Sequence, residues 1–345
     1  MTLARHLAAA LAVAVILLLL SLQLSPYRDY QMAEVAAYVA AVAGLTVLIG
    51  LSGQISIGHG AFMAIGAYAS ALLLAHLGWP LEAVLAASVV VAAVAGAIFG
   101  VAAARLRGPY LAGATLMLAV ALPTVANQYP KLFGGDQGLS VAIAPPAFLG
   151  ATFPPTRWQA WVTCAGALIT LILLANLTRS RVGRSWRAVR DDEVAAALSG
   201  LNVARLQILA FVVSAACAGL GGALLAVVTG IVAPGAYTLT LSIALLTGAV
   251  LGGLGTLPGA LWGSLVLVLV PTFLTNVGAS HGLSGGASSS VPIAAYGVIL
   301  IVVMLVFPSG IQGGLRRFFG PATAVPLTAL RRRTPAREHQ EEGPI

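Results

Sequence analysis

Polar side chains are scarce in this sequence, and those that could do chemistry gather in two segments. One is 50-GLSGQISIGHG-60, where Gln54, Ser56 and His59 are interleaved with Gly53, Gly58 and Gly60. An amide, a hydroxyl and an imidazole each offer hydrogen-bonding groups, and clustered glycines weaken helical continuity. Irregular backbone at membrane depth is tolerated where it is buried in protein or lines a watery cavity. Freed amides and carbonyls could then hold a zwitterion. The same residues also suit a tight interhelical packing site, with His59 at the inner boundary. Gly252, Gly253 and Gly255 in 248-GAVLGGLGTLPG-259 present the same alternatives, and Pro258 fits the first turn of the helix that follows.

The second segment is 178-TRSRVGRSWRAVRDDEVAAALSGLNVAR-205. It carries helix punctuation. Asp191 or Asp192 can cap a short helix, acidic residues favour its first turn, Gly200 can end it, and Asn202 can cap the next one. Val194, Ala197, Leu198 and Leu201 recur at roughly helical spacing. A short helix held between two membrane helices could seat in a groove of a soluble motor, or the segment could be a charged loop that fixes topology.

What is missing bounds the chemistry. The sequence has no G-x-x-x-x-G-K-[ST] phosphate loop and no HExxH, and its only lysine is Lys131. His6, His59, His76, His281 and His339 are not paired at metal-ligand spacing. No catalytic residue, no metal site and no cofactor bound by this chain is expected. Carboxylates are rare near the apolar runs: Glu34 and Glu82 fall near helix ends, and Asp136, Asp191, Asp192 and Glu193 in connections. Proton pumps and many ion-coupled carriers place carboxylates at membrane depth. Their scarcity favours a solute pathway driven from elsewhere over an ion-coupled carrier.

These residues must be positioned by membrane helices. The chain has 345 residues, 59% hydrophobic and 8% charged, against about a quarter charged in soluble domains. A span of the roughly 30 Å hydrocarbon core needs about 20 apolar residues. Ten such runs stand out, at 7–24, 32–51, 60–77, 81–104, 110–128, 158–177, 205–228, 239–254, 258–276 and 292–307. The expected fold is therefore an all-α polytopic membrane protein of about ten helices (eight to ten), some broken at glycine. Arg5 and His6 before Leu7–Leu20 resemble a signal peptide, but no convincing cleavage site follows, so a retained first helix is expected.

With both termini cytoplasmic, fifteen basic residues fall inside (Arg5, Arg105, Arg107, Arg179, Arg181, Arg184, Arg187, Arg190, Arg205, Arg316, Arg317, Arg331, Arg332, Arg333, Arg337) and three outside (Arg28, Lys131, Arg157), as the positive-inside rule requires. The net charge of +8 thus reads as topology and contact with anionic lipid, not nucleic-acid binding. Residues 1–307 are expected to form one transmembrane domain containing the 178–205 loop, and 308–345 a basic, disordered cytoplasmic tail. Cys164 and Cys217 lie in apolar runs and read as packing residues. Gly53, Gly60 and Ala61 echo Gly252, Gly259 and Ala260 at one constant offset, a pattern that internal repeats and chance explain equally well.

Four motifs carry a resemblance over about residues 30–310: 53-GQISIGHGAFMAIGAY-68, 107-RGPYLAGATLMLA-119, 181-RVGRSWRAVRDDEVAAALSGLNVARLQILAFVVSAACAGLGGAL-224 and 248-GAVLGGLGTLPGALWGS-264. With these the sequence resembles the branched-chain amino acid ABC transporter permeases, in their LivM-like branch. The resemblance implies a multi-pass permease of the bacterial inner membrane, with a companion permease, two cytosolic ATPase subunits that use ATP, and a periplasmic solute-binding protein. It also implies that the segment around 184–200 contacts the ATPase, with Arg184, Arg187, Arg190, Asp191, Asp192, Glu193 and Gly200 as coupling residues. Candidate pathway residues are Gly53, Gln54, Ser56, Gly58, His59, Gly60, Gly252, Gly253 and Gly255. The stretch 134-GGDQGL-139 departs from the family's usual G-G-S-D-G-L. Related branches carry urea, short amides or aromatic acids, so the motifs specify the machine better than the cargo.

Overall fold

The structure, a computed structural model, describes residues 14–19, 21–106, 108–146, 150, 153–280, 294, 295, 297, 298, 301, 302, 305, 306 and 310–319. Arg107, the start of the first expected span, much of 292–307, and 320–345 lie outside the described residues.

The chain order is α1 (Pro26–Ser52), α2 (His59–Leu77), α3 (Leu81–Ala103), α4 (Pro109–Gln128), the short α5 (Pro130–Phe133), a 3-10 turn Gly135–Gln137 and β1 (Leu139–Ser140). Then come α6 (Pro155–Arg179), α7 (Arg181–Asp191), α8 (Glu193–Leu198), α9 (Val203–Thr229), β2 (Ile231–Val232), a 3-10 turn Pro234–Tyr237, α10 (Leu239–Gly252), α11 (Leu257–Ser280) and α12 (Gly310–Phe319). Among the described residues, seven helices are long and apolar enough to cross a membrane, and Ala14–Gln23 and Leu239–Gly252 are shorter apolar helices. The architecture is an all-α polytopic membrane protein. At 14 residues, α10 is about 21 Å long, well short of the roughly 30 Å core.

The centre of the bundle is α1, whose apolar window is 89% buried. Its first turn starts on Pro26 and its last ends on Gly53, which adopts φ 74°. It packs against α6, α9 and α11, while α9 also packs on α2 and α3. These contacts are made through small residues. A Cβ on Gly44 would lie 2.6 Å from Cys217 Cβ, one on Gly221 2.8 Å from the Ala37 carbonyl, and Gly66 and Gly219 meet backbone to backbone. With no hydrophobic driving force between helices inside lipid, close backbone approach supplies the packing.

The same contacts fix helix direction. Gly44 of α1 meets Ser214 and Cys217 while Gly221 meets Ala37 and Ala41, and Gly96 of α3 meets Ala215 while Gly100 meets Ile208. Both α1 and α3 therefore run antiparallel to α9. Ser52, Arg105, Arg179 and Arg205 lie at one end of the bundle, with α7 and α8, and Arg28, Lys131 and Arg157 at the other. We call the first end the basic face.

At the opposite face, β1 and β2 pair antiparallel with Leu139 opposite Val232. The connection between α5 and α6 is thus pinned to the α9–α10 connection. Arg157 Nε lies 3.5 Å from Asp29 Oδ2, and the Asp29 side chain is 1% exposed. Asp29 falls outside the expected span 32–51 because α1 begins six residues earlier, at Pro26.

The tail expectation needs correction. Residues 310–319 are helical, not disordered. Gly310, at φ 76°, brings its backbone against Gly253, where a Cβ would lie 2.5 Å from the Gly253 Cα. Gln312 Oε1 accepts from Trp262 Nε1 at 3.1 Å, so α12 docks on α10 and α11 and the folded unit extends past residue 307. The internal echo also finds no match in local shape. Gly252 packs on Gly259 and Gly248 on Gly263, making α10–α11 a tight hairpin. The corresponding α1–α2 connection is an open, irregular stretch.

Candidate functional site

The glycine break between α1 and α2 is built from local signals. The positive φ of Gly53 ends α1, its N–H returning to the Ile49 carbonyl at 3.2 Å and that of Gln54 to Leu48 at 3.3 Å. Residues 53–58 then run irregularly until α2 starts at His59. His59 Nε2 sits 3.2 Å from the Ala41 carbonyl oxygen, and Ala41 lies eleven residues before Ser52, about 16 Å along α1. The break thus climbs from the basic face deep into the bundle, and His59 is interior, not at the boundary.

Two amides at this break are bonded to side chains of neighbouring helices. Ile57 N–H donates to Thr115 Oγ1 at 3.0 Å and Gly60 N–H to Ser242 Oγ at 3.1 Å. Gly58 abuts the Thr115 backbone, and a Cβ on Gly60 would meet Ser242 Oγ at 2.7 Å. Ser56 Oγ, Gln54 Oε1 and His59 Nδ1 are buried with no hydrogen-bond partner. In an apolar interior an unsatisfied polar atom costs about 1–3 kcal/mol, so these three side-chain atoms have capacity left for a water or a solute.

The basic-face segment forms two helices where the sequence suggested one. Ser180 caps α7 through Val182 N–H at 3.2 Å, and Trp186, fully buried, donates Nε1–H to the Leu206 carbonyl at 2.9 Å. Asp192 caps α8, accepting from Val194 and Ala195 N–H at 2.8 and 3.0 Å. Gly200, at φ 83°, closes α8 while Leu201 N–H returns to Ala196, a Schellman geometry. Asn202 Oδ1 then accepts from Arg205 N–H at 3.0 Å to start α9.

Three exposed arginines of this segment, Arg184, Arg187 and Arg190, bond to backbone carbonyls. Arg184 Nη1 donates to the Arg179 carbonyl at 3.1 Å and Arg187 Nη2 to the Thr178 carbonyl, so both cap the end of α6. Cations at a helix C-terminus satisfy its orphan carbonyls and its dipole. Arg190 Nη1 reaches the Gly50 carbonyl at 2.6 Å while Nε and Nη2 hold Asp191 Oδ1 at 3.0 and 2.8 Å. Two apolar side chains project from α8 among these charges: Val194 is 69% and Leu198 85% exposed.

The three candidate segments converge on one spot. Gly53 lies under Arg190, where a Cβ would be 2.9 Å from Cγ, and Gly50 meets the Gly255 backbone. Of the residues picked from the sequence, Gly53, Gln54, Arg190, Glu193 and Gly255 gather here. Ser56, Gly58, His59 and Gly60 lie deeper. Gly252 belongs to the α10–α11 hairpin, and Gly253 abuts Gly310. Thr115, Gln207 and Ser242 were not singled out, because an isolated polar residue in an apolar run gives no signal of its partner. A separate cavity of about 360 Å³ opens between α2, α3 and α4, walled by Ile65, Tyr68, Leu118, Leu122, Val125 and Phe133.

The family model described as the branched-chain amino acid transport system permease component matches residues 28–308. The chain belongs to this family. A permease of this kind is a transport component and not itself an enzyme. Among curated proteins it is similar to the high-affinity branched-chain amino acid transport system permease protein LivM of Salmonella typhimurium, at 33% identity over 67% of this chain and 60% of the relative. It is also similar to the permease protein LivH of Escherichia coli, at 30% identity over 81% of this chain and 92% of the relative. The matched region thus spans about three fifths of the LivM relatives' length. Among solved structures, PsaBC from Streptococcus pneumoniae in complex with Fab aligns with a TM-score of 0.43 at 14% identity, over 88% of this chain and 99% of that one. The permease motifs lie on α2, α4, α7–α9 and α10–α11, the elements that build the break and the basic-face helix pair.

Proposed function

We propose that this chain is the membrane-spanning permease subunit of an ATP-driven importer in the bacterial inner membrane, moving branched-chain or related small amino acids. Its partners are a companion permease, two cytosolic ATPase subunits that consume the ATP, and a periplasmic protein that delivers the solute. The chain itself binds no cofactor. The named relatives support the cargo class, since each is called a branched-chain amino acid transport permease.

One observation carries the mechanism. The exposed apolar residues Val194 and Leu198 sit on a helix pair outside the bundle, and Arg190 of that pair holds Gly50 at the foot of the break. An ATPase seated on α8 would therefore pull on the irregular segment that leads into the bundle. The break, with Ser56, Gln54 and His59 at its side, forms the inner part of the solute path.

Leucine uptake in vesicles containing the chain with its companion permease, ATPase subunits and binding protein tests this. Uptake that requires ATP and this chain is the expected result. Stimulation of ATP hydrolysis by a binding protein loaded with urea or an aromatic acid, without leucine uptake, would change the cargo. Uptake by the chain alone on an ion gradient would overturn the proposal.

A further inference from the structure

A second connection joins the basic-face helix pair to the break, by way of α9. Glu193, the first residue of α8, accepts a hydrogen bond from Gln207 Nε2 at 2.9 Å. The carbonyl of the same Gln207 accepts from Gln54 Nε2 at 3.3 Å, and Gln54 Nε2 also reaches Ser52 Oγ at 3.1 Å. Gln54 is the first residue after the helix-ending Gly53 and is 6% exposed. The path Glu193–Gln207–Gln54 runs from α8 to the foot of the break without passing through Arg190.

The two connections differ in kind. Arg190 acts on the Gly50 carbonyl in the last turn of α1, just before the break begins. The Gln207 path ends on Gln54, inside the irregular stretch whose backbone can rearrange. Trp186 Nε1–H donates to the carbonyl of Leu206, one residue earlier, at 2.9 Å. The first turn of α9 is therefore gripped by both α7 and α8. A movement of the helix pair must displace this turn, and Gln54 is bonded to that turn.

We infer that Gln207 is a positioning residue for coupling. Its side chain fastens α8 to the first turn of α9, and its carbonyl passes the movement to Gln54 and the break. The inference rests on the importer reading and specifies the path by which work reaches the solute route. Coupling networks of this sort are established only by perturbing both ends, and this one permits it, because the Glu193–Gln207 bond can be rebuilt with donor and acceptor exchanged.

The test measures leucine taken up per ATP hydrolysed by the reconstituted complex. For Gln207→Leu the ratio should fall about fivefold, as expected on cutting one link of a coupling network. Gln207→Glu, which sets two carboxylates against each other, should show the same deficit, and Glu193→Gln combined with Gln207→Glu should restore the ratio. If leucine at 207 lowers the amount of assembled complex, the Gln207→Glu variant and the exchanged pair decide the matter. An unchanged ratio in the single variants overturns the inference, and so does a deficit that the exchanged pair fails to repair, which would assign residue 207 to packing alone. Absence of ATP-driven uptake in the unaltered complex overturns the importer reading and the inference with it.

Discussion

Arg190 Nη1 donates to the carbonyl oxygen of Gly50 at 2.6 Å, joining residues 140 apart in sequence. The guanidinium does two things at once: it satisfies a carbonyl at the end of α1 and, through its other edge, holds Asp191 Oδ1. A planar fork with several fixed donors can do this and an ammonium cannot.

Replacing Arg190 by Met should leave membrane insertion intact and lower ATP-driven uptake by about tenfold, the cost of about 1.4 kcal/mol in a charge-assisted hydrogen bond. Arg190→Lys should recover only part of it, since one ammonium on a flexible stem does not span both partners. Vesicle uptake at matched protein levels checks this. Full activity of the methionine variant would remove Arg190 from the coupling path.

Glycine at the break is required by space. Gly58 abuts the Thr115 backbone and Gly50 that of Gly255, whereas Gly113 on α4 has nothing within 4 Å of a built Cβ. Gly58→Ala and Gly50→Ala should each destabilise the protein by about 1–3 kcal/mol through overpacking. Gly113→Ala should be neutral or stabilise it by up to about 1 kcal/mol from helix propensity. Thermal unfolding of the purified protein in detergent distinguishes these, and an equal response at Gly58 and Gly113 would contradict the packing account.

The exposed pair on α8 makes a separate prediction. Val194→Asp with Leu198→Asp should weaken copurification of the ATPase subunits at least about tenfold, as for a desolvated anchor at an interface. The unfolding midpoint should be unchanged, because neither side chain is buried. By contrast, joint replacement of Arg187, Asp192 and Glu193 should also lower the midpoint, since these side chains hold α6, α8 and α9 together. Wild-type copurification of the aspartate variant would place the ATPase contact elsewhere.

Buried Asp29 pairs with the half-buried Arg157 on the opposite face. Arg157→Met leaves the Asp29 carboxylate buried without its countercharge, at a cost of about 3 kcal/mol. Adding Asp29→Leu should return most of that, because the pair as a whole is worth little over an apolar replacement. The midpoints of the single and double variants report the difference. A double variant no more stable than Arg157→Met alone would show that the pair does more than neutralise.

Local rules account for what was legible in the sequence. The runs that became α1 to α4, α6, α9, α10 and α11 are set by hydropathy and length, and the caps at Asp192, Gly200, Asn202 and Pro258 by the chemistry of single residues next to their own backbone. That the basic connections share one end of the bundle followed from arginine placement, since charge in a connection acts on that connection. The boundary of α1 was missed because polar Arg28 and Asp29 mask a helix that starts at Pro26. The helical 310–319 was missed because its partners, Gly253 and Trp262, are more than 45 residues away.

The sequence by itself determined that this is a polytopic helical membrane protein of the permease family, where its helices break, and which short segment stands outside the bundle. Tertiary structure alone decided that the break at Gly53, the hairpin at Gly255 and the helix carrying Arg190 meet at one point. The reason lies in the helices themselves. Those of the bundle core are apolar on every side, so periodicity shows no preferred face. Which faces meet is chosen by where glycine, alanine and serine let two backbones approach, a property of pairs of helices that neither sequence segment contains alone.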